Sequence, residues 1–152
     1  MSKVKRIAIA SDHGGYELKN EIINYLKEMD YIYKDFGSYD TQTVHYPDYA
    51  FKVGDAIVNG EYQYGILICG TGIGMSIAAN KIKGIRASLC HDTFSARMAR
   101  EHNNANVLTM GGRVIGRGLA REIVKVWLLT EFSQESRHII RLQKITDMQK
   151  PC

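Results

Sequence analysis

The sequence predicts an α/β fold: a three-layer, doubly wound sheet of five parallel strands with helices on both faces and one extra helix at the carboxyl end. Three observations carry this. Short apolar runs alternate strictly with stretches of helical periodicity along the chain. No linker, internal repeat or low-complexity segment interrupts them. The run from Tyr64 to Cys69 is unbroken in its apolar character, as expected of a central parallel strand covered on both faces. At 152 residues the chain is about one domain long, so a single domain over residues 1–152 is expected.

The elements follow in order. Val4 to Ala10 alternates as a strand and stops at Ser11-Asp12-His13-Gly14-Gly15, after which Leu18, Ile22, Ile23 and Leu26 recur at helical spacing. Tyr31 to Phe36 reads as a second strand closed by Gly37-Ser38. Residues 37–46 are polar loop, and Pro47 suits the first turn of a helix with Ala50, Val53, Ile57 and Val58 on its apolar face. Tyr64 to Cys69 is strand three, and Ile77, Ala78 and Ile82 continue as a helix after the glycines. Ile85 to Cys90 gives strand four, Thr93 to Glu101 a helix, Asn106 to Met110 strand five, and Leu119 to Leu129 an amphipathic helix. A polar break over residues 130–135 precedes a last helix ending near Met148. Five strands match the count of the flavodoxin-like, Rossmann-like order 2-1-3-4-5. There, ligands sit beyond the carboxyl ends of strands one and three, where the winding reverses.

Composition narrows the function classes. No apolar run is long enough to span a bilayer, and no signal peptide pattern opens the chain, so a cytoplasmic protein is expected. Cys69, Cys90 and Cys152 are an odd number at wide spacing, which fits neither a disulfide framework nor a zinc site, and they read as free thiols. Twenty Lys and Arg against sixteen acids give a net charge of +4. That excess forms no basic stripe interleaved with aromatics, which argues against nucleic acid and suits a small anion better.

The chemistry-bearing residues gather at strand carboxyl ends. Gly70, Gly72 and Gly74 spell G-x-G-x-G with Met75 where a dinucleotide fingerprint needs Gly or Ala, and no Walker lysine follows. What remains is a strand-to-helix turn whose N–H groups can approach an anion. Cys69 stands immediately before it. A helix N-terminus commonly makes a thiol easier to ionise, so Cys69 has two readings, a base or nucleophile and a small buried hydrophobe. Cys90 reads as the latter. Asp12 either caps the first helix or serves a site, and His13 sits beside it. His102 closes the fourth helix, where it can simply complement the dipole. His45 and His91 have no ligand-spaced partners. Arg113 follows Gly111-Gly112, and Arg137 and Arg141 share one helix face, either solvated or clamping a phosphate.

Taken together, these blocks resemble the type B ribose-5-phosphate isomerase family, which also holds allose-6-phosphate and galactose-6-phosphate isomerases. The resemblance runs over nearly the whole length. It rests on Ser11-Asp12-His13-Gly14-Gly15, Tyr46-Pro47-Asp48-Tyr49-Ala50, Cys69-Gly70-Thr71-Gly72-Ile73-Gly74, Ala78-Ala79-Asn80-Lys81, Gly84-Ile85-Arg86-Ala87, His102-Asn103, Asn106-Val107-Leu108, Gly112-Arg113-Val114, and Arg137-His138 with Arg141.

The resemblance implies a metal-free, cofactor-free aldose-ketose isomerase of the pentose phosphate pathway, acting on a sugar phosphate. It implies that His102 opens the sugar ring and that Cys69 moves a proton between carbons 1 and 2 through an enediolate. The amides of Gly70, Thr71, Gly72, Ile73 and Gly74 would hold the oxyanion. Thr71 would orient the thiol, and Asp12 and Asn103 would bind hydroxyls. Tyr46 would line the substrate site, and His13, Arg113, Arg137 and Arg141 would face the phosphate. A second group in the family has a glutamate base at position 75, where this chain has Met75. Family members are dimers or tetramers with sites shared between subunits, His102 commonly entering from the neighbour. This chain departs from the family at His45, usually Asp, and at Gln134-Glu135-Ser136, which replace a common glycine pair. The implied alternatives are a six-carbon sugar phosphate as substrate and, outside enzymes, a silent phosphate- or nucleotide-binding module.

Overall fold

Period-two and period-3.6 segments alternate in the computed structural model, which describes residues 4–149; Cys152 lies outside the described residues. The chain runs β1 (Arg6–Ser11), α1 (Tyr16–Glu28), β2 (Ile32–Asp35), α2 (Tyr46–Val58), β3 (Tyr64–Cys69), α3 (Ile73–Ala79), β4 (Ala87–Leu89), α4 (Thr93–Glu101), β5 (Val107–Gly111), α5 (Arg117–Leu129) and α6 (Ser136–Met148). All four strand pairings are parallel.

The sheet order is β2-β1-β3-β5-β4, which corrects the expected 2-1-3-4-5. Burial explains the exchange of the last two strands. All five residues of β5 are buried, so it needs cover on both faces and a neighbour on each side. Strand β4 has three residues, two half-buried and one exposed, which suits an edge. It is also shorter than the expected Ile85 to Cys90, because side chains take over its flanks. The Asn80 amide accepts from the Ala87 N–H at 2.8 Å and donates to the Ala87 carbonyl at 3.0 Å, and Asn106 Oδ1 accepts the Arg86 N–H at 2.8 Å. The reversal of winding still falls between β1 and β3, whose ends lie side by side with Ser11 paired to Ile68.

Two apolar layers sandwich the sheet. Ile22, Leu26, Ala96, Ile123 and Trp127 from α1, α4 and α5 cover one face, and Ala50, Val53, Met75 and Ala79 from α2 and α3 cover the other. Val58, expected on the apolar face of α2, is exposed instead; the residues that α2 buries are Ala50, Val53, Gly54 and Ala56, small enough for close approach to the sheet. Helix α3 stops at Ala79, so Ile82 packs from the following loop against Gly54 rather than from the helix.

Two buried cations are held by different means. Lys19 is fully buried, paired with Asp35 at 2.8 Å, and donates also to the Ser38 carbonyl, tying α1 to the loop after β2. Arg100 lies over the Tyr64 and Trp127 rings and donates to the carbonyls of Ala105 and Thr130, fixing the end of α4. Helix α6 contrasts with the rest. It buries His138 alone and exposes Ile139, Ile140 and Ile145.

Candidate active site

Cys69 is the last residue of β3, 4% exposed, and its sulfur accepts the Gly72 N–H at 3.1 Å. The residue that supplies this bond is held on both sides. Gly72 has φ of 77°, a left-handed conformation that glycine adopts without penalty. A Cβ there would lie 2.6 Å from Leu89 Cδ1 and 2.8 Å from the Met110 carbonyl carbon. The Gly72 carbonyl accepts the Thr109 hydroxyl at 3.0 Å. Thr109 is fully buried in β5, so its hydroxyl is committed to this carbonyl, which also accepts the Ser76 N–H at 3.1 Å.

The loop offers further donors. Ile73 N–H goes to Thr71 Oγ1 at 3.3 Å, while the N–H groups of Gly70, Thr71 and Gly74 meet no acceptor among the described residues. The turn after β5 is laced to the turn after β3. Gly112 N–H donates to the Cys69 carbonyl at 2.8 Å and Arg113 N–H to the Gly70 carbonyl at 3.0 Å. This places the Arg113 guanidinium over Gly70, its Nη1 3.3 Å from where a Cβ of residue 70 would stand. Tyr46, at the start of α2, lies across Gly74 so closely that a Cβ there would sit 2.5 Å from Tyr46 Cζ.

These residues form one open cleft of about 420 Å³, lined by Asp12, Tyr46, Cys69, Gly70, Thr71, Ile73, Gly74, Ile77 and Arg113. Both readings of Asp12 hold at once. Its Oδ1 accepts the Gly15 N–H at 3.1 Å, capping the short turn before α1, and its side chain still borders the cleft. His13 Nδ1 accepts the Val44 N–H at 3.3 Å, which puts the proton of a neutral ring on Nε2, available as a donor.

The remaining sequence candidates lie elsewhere on the chain. His102 caps the end of α4, with its Nε2 3.7 Å from Glu101 Oε1. Asn103 borders a separate 340 Å³ pocket between β4 and α6. Arg137 and Arg141 are exposed on α6, where Arg137 Nε contacts Glu135 Oε2 at 2.9 Å. None of these four lines the Cys69 cleft. Cys90 is buried and its thiol is pushed up by burial, the inert cysteine that its sequence context suggested.

The sequence reading had Gly72 as an oxyanion donor rather than a donor to the sulfur, and it missed two contributors, Thr109 and the bond made by His91. The Thr109 hydroxyl behind Gly72 depends on β3 and β5 being neighbours, which the sequence did not order correctly, whereas the Gly72 bond to the sulfur is local to the turn. His91, read as a lone histidine, accepts the Gly111 N–H on Nε2 at 2.9 Å, and burial lowers its pKa.

The ribose/galactose isomerase family model matches residues 7–145. A solved ribose-5-phosphate isomerase B of Clostridium thermocellum superposes with a TM-score of 0.93 at 51% identity, over 95% of this chain and 97% of that one. Ribose-5-phosphate isomerase B of Escherichia coli is 44% identical over 147 residues, 97% of this chain and 98% of the relative. A D-erythrulose-4-phosphate isomerase of Pectobacterium atrosepticum is 51% identical over 128 residues, 83% of this chain and 84% of that protein. Matched by the family model over nearly its whole length and similar to these proteins in sequence and fold, the chain belongs to the ribose/galactose isomerase family.

Proposed function

We propose that this chain interconverts ribose 5-phosphate and ribulose 5-phosphate through an enediolate, in the cytoplasm, with Cys69 as the base. One observation carries the reading: the Cys69 sulfur lies at the cleft with an N–H aimed at it and three unengaged N–H groups beside it. Met75 cannot take the role of base, since its thioether accepts no proton and its side chain is fully buried.

The steps follow from the groups present. His102 takes the proton of the carbon 1 hydroxyl and delivers it to the ring oxygen as the bond between carbon 1 and that oxygen breaks and the furanose opens to the aldehyde. The Cys69 thiolate removes the hydrogen on carbon 2, and the electron pair moves to the carbonyl oxygen on carbon 1. The amides of Gly70, Thr71 and Gly74 face that oxyanion, and donors fixed before the charge develops lower the barrier. The Cys69 thiol then returns its proton to carbon 1 as the hydroxyl proton on oxygen 2 passes to oxygen 1 and oxygen 2 becomes the ketone. Tyr46 closes one side of the cleft, and Asp12 and Asn103 hold hydroxyls. His13 Nε2, Arg113, Arg137 and Arg141 hold the phosphate.

His102, Asn103, Arg137 and Arg141 reach this cleft from a second copy of the chain. Their separation from Cys69 within one chain supports this, as does the exposed apolar surface of α6, whose isoleucines a dimer would cover.

A four-carbon reading is favoured by one relative, the D-erythrulose-4-phosphate isomerase. Comparing kcat/KM on ribose, allose, galactose and erythrose phosphates decides substrate length. The reaction itself is tested by incubating wild type and Cys69→Ala with ribose 5-phosphate in deuterated water. Deuterium at carbon 2 with wild type, and its loss by about two to four powers of ten in the variant, is expected. Undiminished exchange in the variant would remove Cys69 from the chemistry.

A further inference from the structure

His138 is the only residue that α6 buries, 5% exposed, and yet its Nε2 meets no partner among the described residues. Leaving a buried polar atom unpaired costs about 1–3 kcal/mol. An apolar side chain would anchor the helix at lower cost, so anchoring alone does not account for an imidazole here. What the ring touches does. It lies face to face with His102, centroids 4.2 Å apart and planes 15° from parallel.

We propose that His138 is the positioning residue for His102: a flat ring stacked on the imidazole that opens the sugar holds it in one orientation without occupying either of its nitrogens. This rests on the ring-opening role proposed for His102. The stack also fixes spacing. His138 adjoins Arg137 and stands one turn before Arg141 on α6, so a single side chain ties the ring-opening group to two phosphate-binding groups.

The charged groups around the pair keep His138 neutral. Burial disfavours its protonation first, then His102 across the stack, then Arg137 and Arg141; only Glu135 opposes them. From α4, Glu101 faces His102 rather than His138. A neutral ring can press against His102 in either charge state, which a cation could not do without repulsion.

The test separates ring opening from proton transfer. Ribose 5-phosphate is a furanose and must be opened. Ribulose 5-phosphate carries its phosphate on the hydroxyl that would close a five-membered ring, so it stays open. Exchange of its carbon 1 hydrogen with deuterated water therefore reports the Cys69 step alone. In His138→Ala, kcat on ribose 5-phosphate should fall about ten- to a hundredfold, the scale of a misplaced catalytic group. Exchange into ribulose 5-phosphate should stay within about twofold of wild type. His138→Phe keeps a stacking ring and should restore most of the turnover. Equal loss of both activities in His138→Ala, no loss of either, or a Phe variant no better than Ala overturns the proposal. His102→Ala, assayed alongside, shows which reading has failed. If that variant lacks the ring-selective loss, the role of His102 falls and this proposal falls with it; if it has the loss and the His138 variants do not, only the proposal about His138 fails.

Discussion

The Gly72 N–H donates to the Cys69 sulfur at 3.1 Å, and the Gly72 carbonyl, in the next peptide unit, accepts the buried Thr109 hydroxyl at 3.0 Å and the Ser76 N–H at 3.1 Å. Anchoring the following peptide unit helps to hold Gly72 in the left-handed conformation that aims its N–H at the sulfur. Replacing Thr109 by Val keeps the shape and removes one of the two hydrogen bonds to the Gly72 carbonyl, at a cost of about 0.5–1.5 kcal/mol. The expected outcome is a lower thermal midpoint together with a reduced kcat and a nearly unchanged KM. A variant with wild-type kcat would show that the orientation of this peptide does not matter to the reaction.

The shared-site reading makes a quantitative prediction. Cys69→Ala and His102→Ala should each be inactive on ribose 5-phosphate. When the two are unfolded together and refolded as a mixture, half the dimers are mixed and each mixed dimer has one intact site. About a quarter of wild-type activity should therefore return. Continued inactivity in a mixture shown to exchange subunits would place both groups within one chain.

Replacing Arg137 or Arg141 by Ala should raise KM for the sugar phosphate about tenfold or more while leaving kcat within a few-fold. Each exposed guanidinium is proposed to contact the phosphate throughout the reaction rather than only at its peak. Steady-state kinetics check this, and an unchanged KM in both variants would remove them from the site.

Stability should fall as the solution becomes mildly acidic, and His91 is one cause. Burial lowers its pKa in the folded protein, and its Nε2 must stay unprotonated to accept the Gly111 N–H. The unfolded chain takes up that proton first, near pH 6.5, so the contribution is whole above that value and is lost as the pH falls toward the folded one. His138 is lowered in the same direction. His91→Gln can still accept the bond and does not titrate. Denaturant unfolding at several pH values between 7 and 5 should give it a shallower decline than wild type; an equal slope would exclude His91.

Gln134 has φ of 59°, in the left-handed region, two residues before α6. Asp30 and Asn104 share that region, but their short side chains tolerate it. Gln134→Gly should relieve about 1 kcal/mol and raise the melting temperature by roughly 2–4 °C. A lower melting temperature would show that the Gln134 side chain contributes more than its backbone costs.

The position of Gln134 also shows what could be read early. Its stretch, Gln134-Glu135-Ser136, stood out only as a departure from the pattern that the family resemblance implied; backbone angles show that Gln134 is left-handed. In the same way Asp12, Cys69, the glycine turn and Arg113 stood out because apolar runs end at them, and strand carboxyl ends are where parallel sheets bind ligands.

The sequence by itself determined the alternation of strands and helices, the apolar length of β3, the polar residues at strand ends and the family. These are local properties, carried by the spacing of side chains along a few residues. Tertiary structure decided that β5 rather than β4 lies beside β3, because both faces of β5 need cover and those of β4 do not. That pairing puts Thr109 behind Gly72 and His91 against Gly111, and the packing of α6 brings His138 onto His102. Such contacts join residues 20 to 37 positions apart, and no periodicity in the chain records which distant surfaces will meet.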